Sequence, residues 1–117
     1  MNNMKINILG TDYTIQVKKR EEDKTLEECD GYTDWTVHTI CVIDPEKEKG
    51  CVENLDVYKK KVLRHEITHA YFIESGLMDH TNQSEYGGGT NDEQMVDWIA
   101  IQGPKLFNSW KEAGCLG

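Results

Sequence analysis

Residues 65–69 read His-Glu-Ile-Thr-His, and their spacing has a direct chemical meaning. Side chains four apart on a helix lie on one face about one turn from each other, so the imidazoles of His65 and His69 can reach a single cation. Glu66 follows His65 in the chain and points slightly aside. There its carboxylate can take a proton from a water on the metal without itself being a ligand, which is the general-base position. Two imidazoles and one carboxylate suit zinc in a tetrahedral site whose fourth place belongs to water, with one ion per chain. The chemistry expected of such a set is hydrolysis.

A third ligand must come from a second element facing this helix. Glu93, Asp97 and His80 carry suitable groups, and Glu93 fits best. It lies 24 residues beyond His69 (from 69 to 93), which leaves room for a loop and the return of an antiparallel helix. Asp97, one helical turn further on, is then placed to accept a hydrogen bond from the far nitrogen of one ligand histidine.

The motif sits in the strongest helical pattern of the chain. From Asn54 or Asp56 onward, Leu63, Ile67, Ala70 and Glu74 define one side of a helix, Val62, His65, Glu66 and His69 another, and Gly76 is placed to end it. Upstream, residues 5–9 and 13–17 alternate apolar and polar, with Gly10-Thr11-Asp12 between them, and predict a hairpin. Residues 35–44 are rich in Thr, Val and Ile and apolar on both sides, which predicts a strand covered on both faces and ended by Pro45. The charged residues 18–28 lack a core face and read as a loop or a short solvated helix. Residues 77–90, with Gly87-Gly88-Gly89, read as a long loop. After it Asn91 caps a second helix, with Asp92 and Glu93 in its first turn and a stripe through Val96, Ile99, Gly103, Leu106 or Phe107, and Trp110. Pro104 should kink or restart that helix. The result is one α+β domain over residues 1–117, with an antiparallel or mixed sheet of about three to four strands packed on the motif helix and a second helix carrying the third ligand.

The run HEITHAY followed by Asn91-Asp92-Glu93-Gln94-Met95-Val96-Asp97 resembles the gluzincin metallopeptidases, whose pattern is HExxH and then a ligand Glu followed four residues on by an Asp. It is most similar to the small phage and bacterial versions of the ImmA/IrrE-like group, over residues 57–100. The resemblance implies a minimal zincin-like fold, zinc on His65, His69 and Glu93, Glu66 as general base, and Asp97 orienting a ligand histidine, His65 for preference. It also implies a peptide or protein substrate that adds as a strand beside residues 36–44. The chain has no room for the second domain that closes the cleft in larger members and supplies an oxyanion donor. Tyr86 in the glycine-rich loop is the first candidate for that role, ahead of His80, Tyr71 and His38. Tyr71 reads better as a packing residue, and His38, alternating with Ile40 and Val42, as a buried strand histidine.

Composition narrows the partners. A formal charge of −8, from 21 acidic against 13 basic residues, repels phosphate backbones and anionic lipid, so neither nucleic acid nor a membrane is expected. The N-terminus lacks an apolar stretch before a cleavage site, and no stretch approaches a membrane span, so a cytoplasmic protein is expected. Cys29, Cys41, Cys51 and Cys115 show no paired spacing and read as free thiols. A zinc-stabilised structural or interaction module of a mobile-element or phage-derived system would keep the metal ligands, yet it has no use for Glu66. Hydrolysis of a non-peptide bond uses the same groups.

Overall fold

The structure, a computed structural model, describes residues 3–46, 52–77 and 92–116, with the backbone but not the side chains of residues 92–94, 96, 97 and 100. Strands β1 (Asn3–Ile8) and β2 (Thr11–Lys18) form an antiparallel hairpin in which Ile8 pairs with Thr11. The turn is therefore Leu9-Gly10, not Gly10 to Asp12. Both residues take positive φ, 52° and 98°, the two-residue turn whose twist matches that of the flanking strands. Asn7 supports it by accepting the Gly10 N–H at 2.9 Å and donating to Asp12 at 2.8 Å.

β3 (Gly31–Asp34) and β4 (Thr39–Ile43) complete a mixed four-stranded sheet in the order β1-β2-β4-β3. β4 runs parallel to β2 and antiparallel to β3. The strand expected over 35–44 starts only at Thr39, because 35–38 form the turn of the β3–β4 hairpin. The Asp34 carboxylate accepts the Thr36 N–H at 3.0 Å and His38 adopts φ 53°, a local geometry that overrides the strand preference of Trp35, Thr36 and Val37. Ile40, Cys41, Val42 and Ile43 are all buried, as expected of a strand covered on both faces.

One cover is helical and the other is not. α1 (Leu55–Ser75) lays Val62, Ile67, Ala70 and Tyr71 on the face carrying Ile6, Ile8, Tyr13, Ile15, Ile40 and Val42. The Asn54 side chain caps it by accepting the Val57 N–H at 3.0 Å, and Gly76 ends it at φ 75°, with the Leu77 N–H closing on the Phe72 carbonyl. Glu74, on the predicted core side, is accommodated by hydrogen bonds from Thr11 (2.9 Å) and Tyr13 (2.7 Å). Burial and this carboxylate push the Tyr13 hydroxyl pKa well up. On the opposite face the charged stretch folds into two 3-10 turns, Arg20–Glu22 and Lys24–Glu27, and buries Leu26 completely. Its Asp23 accepts the Tyr32 hydroxyl at 2.6 Å.

α2 (Asp92–Glu112) runs without a break through Pro104, so the expected interruption does not occur. Among its described side chains the buried ones are Trp98, Leu106 and Ser109, continued by Ala113, while Ile99 and Phe107 are more than half exposed. Of the predicted stripe, Leu106 is thus inward and Trp110 packs partly buried against the core, whereas Ile99 faces out; Val96 has its side chain outside the described residues. Tyr71 decides the orientation, because its buried hydroxyl donates to the Lys105 carbonyl (3.1 Å) and lies 2.5 Å from Ser109 Oγ. Among the described residues, no helix is long and apolar enough to cross a membrane.

Candidate metal centre

α1 separates the motif residues by face. His65 is exposed and His69 half-buried, while Glu66 turns inward to the sheet edge and is 7% exposed. The two Nε2 atoms lie 3.1 Å apart, with the rings nearly perpendicular at 74°. Two nitrogens each about 2.0–2.1 Å from a zinc ion at a tetrahedral angle stand roughly 3.3 Å apart, so the separation of this pair is close to one edge of such a site. Burial pushes the His69 pKa down, Glu66 opposes this, and His65 adds to the lowering. Near neutrality the ring is therefore neutral, the form that binds a metal.

Glu66 is held by an element that gave no chemical signal in the sequence. The Thr33 hydroxyl of β3 lies 2.9 Å from Glu66 Oε1 and 3.0 Å from the Glu66 backbone carbonyl, and donates its single proton between them. Two residues earlier on the same face, Gly31 lets the helix approach the strand. A Cβ there would stand 2.9 Å from Val62 Cγ1, 3.2 Å from the Cys41 carbonyl and 3.2 Å from Glu66 Cγ. Val62 and Glu66 thus form the contact with β3. A Gly-x-Thr alternation beside a strand is too common a pattern to have singled these residues out.

The far side of the imidazoles is aromatic. Phe72 meets His69 edge-on at 6.5 Å and Trp98 at 4.8 Å, and Trp98 Nε1 donates to Ser75 Oγ at 3.0 Å. This chain of rings brings the N-terminal half of α2, which contains positions 93 and 97, to the His69 end of the site. The side chains of Glu93 and Asp97 lie outside the described residues, as do His80 and Tyr86. Among the described residues no cluster of three metal-binding side chains occurs. No family model matches this chain, and no curated protein or solved structure does.

Two sequence expectations change, and the reading of Tyr71 as a packing residue holds. Residues 36–44 cannot take an added strand, because β4 is paired with β2 on one side and β3 on the other; the sheet edge beside the motif is β3. His38 is not a buried strand residue but an exposed turn residue whose ring rests 5.3 Å from that of Tyr13. Tyr71 is committed to Lys105 and Ser109 and has no hydroxyl proton to offer an oxyanion. Cys29, Cys41 and Cys115 are free thiols, and Cys51 lies outside the described residues.

Proposed function

We infer that this chain is a small zinc-dependent metallopeptidase of minimal gluzincin type, with a zincin-like fold. The observation that carries the reading is the apposition of His65 and His69 Nε2 at 3.1 Å beside a buried, hydrogen-bonded Glu66. A merely packed pair of histidines does not need that carboxylate next to it. Glu93 supplies the third ligand from α2, and Asp97, one turn on, accepts the far N–H of a ligand histidine. When bound, zinc lowers the pKa of a coordinated water toward about 7 and polarises the scissile carbonyl. Glu66 takes the proton of the attacking water and returns it to the departing amine nitrogen. Thr33 fixes the rotamer in which Glu66 can do so. The edge of β3 offers backbone groups with which an extended peptide can pair.

Metal analysis and one kinetic comparison test the reading. Glu66→Gln should keep one zinc per chain and lose hydrolysis by about 10²–10⁴-fold, while Glu93→Ala should lose zinc. Undiminished hydrolysis in the first variant, or an unchanged zinc content in the second, overturns the assignment.

A further inference from the structure

The metal-binding face of α1 is cationic in a chain whose formal charge is −8. Lys61 lies one turn before His65 and Arg64 immediately precedes it, and together with Thr68, His69 and Phe72 they line an open cleft of about 400 Å³. The three consecutive lysines divide by partner. Lys59 reaches Asp44 at 3.9 Å and Lys60 reaches Asp56 at 3.3 Å, whereas exposed Lys61 faces the cleft and, among the described residues, makes no ion pair. Arg64 is steadied by a neutral partner, since its Nη1 donates to the Cys115 carbonyl at 2.7 Å. Among the described residues it makes no ion pair, so its position is held without a paired counter-charge there. Of the described carboxylates nearby, Asp30, which also feels the Lys61 charge, accepts from Arg20 and Tyr58, and Glu66 accepts from Thr33.

The geometry points to a cleft that selects peptides bearing a carboxylate, with Lys61 and Arg64 as the recognising groups on the side of the imidazoles opposite Phe72. This rests on the peptidase reading of the same site. From Lys61 to the midpoint of the two histidines the helix rises about 9 Å. An extended peptide covers roughly 3.3 Å per residue, so with the reach of the side chains the carboxylate falls one to three residues from the bond that is cut. An Asp or Glu side chain and a free C-terminus present the same chemistry there.

Calorimetric titration of full-length Glu66→Gln decides the matter with three peptides of one backbone sequence. The first has a Glu and an amidated C-terminus, the second a Gln and a free C-terminus, the third a Gln and an amidated C-terminus. At least one of the first two should bind about five- to tenfold more tightly than the third, and which one does so names the source of the carboxylate. The preference should persist after zinc is chelated and shrink as salt is raised. It should vanish in Lys61→Glu, with Lys61→Gln as a second variant should the first misfold, and survive in Lys61→Arg. Equal binding of all three peptides, no binding of any up to about 1 mM, loss of the preference with the zinc, or indifference to Lys61→Glu overturns the proposal. Wild-type hydrolysis of the same peptides is scored separately: a charge preference in binding without cleavage of any peptide sinks the peptidase reading and leaves the carboxylate subsite standing.

Discussion

Thr33 and Gly31 are the residues on which the placement of the Glu66 carboxylate depends. In Thr33→Val, Glu66 loses its donor while the strand keeps its shape, at a cost of about 1–2 kcal/mol in urea unfolding. Because the bond orients Glu66, kcat should fall while KM stays nearly constant; a change confined to KM would return Thr33 to substrate binding. Gly31→Ala tests the close approach. Its new methyl would meet Val62 Cγ1 at 2.9 Å and a backbone carbonyl at 3.2 Å, so the helix must lift from the strand. A destabilisation of roughly 1–3 kcal/mol is expected, and a neutral or stabilising outcome would show that α1 can give way.

At the scale of elements, the acidic 3-10 segment is a working cover of the sheet. Leu26 supplies its apolar anchor, and Asp23 and Asp30 tie it down. The Tyr32 hydrogen bond, assisted by Lys18, holds Asp23 below its ordinary pKa; the Tyr58 hydrogen bond and then Arg20 do the same for Asp30. A carboxylate with a depressed folded-state pKa contributes stability above its unfolded value, and that contribution is lost as pH falls through the folded value. Asp30→Asn should therefore lower the melting temperature by a constant amount above about pH 5, and the gap to wild type should begin to shrink below roughly pH 3.9, where the unfolded carboxylate protonates, and be lost only as pH falls through the lower folded-state value. A gap that persists into acid would mean that the Asp30 charge is not what secures the segment.

Across the whole molecule, α1 is the shared component: its inner face closes the core, its edge meets β3, and its outer face holds the imidazoles. Tyr71, Trp98 and Arg64 join it to α2 and to the residues after it. A zinc ion held by both helices would add one more cross-connection and stabilise the native state by mass action, by about 2.7 kcal/mol at a hundred times the dissociation constant. For a chain of this size that corresponds to a rise in melting temperature on the order of 10 °C. His65→Ala should abolish the rise, and an equal rise in that variant would place the zinc elsewhere.

What could be read from the chain alone was local. His65, Glu66 and His69 declared themselves because helical periodicity converts a spacing of four into adjacency. Asn54 and Gly76 marked the ends of α1 because capping is settled by side chains and φ angles within a few residues. The double-sided burial of residues 40–43 followed from their composition. The pairing partners were a different matter. That β4 is interior and β3 the edge, that Gly31 and Thr33 receive Glu66, and that α2 turns Trp98 and Ser109 inward instead of Ile99 and Phe107 all depend on residues distant in sequence competing for the same face. Only the assembled sheet and helices decide which of several comparable apolar stripes is buried, because the energy of burial belongs to a contact and not to a residue.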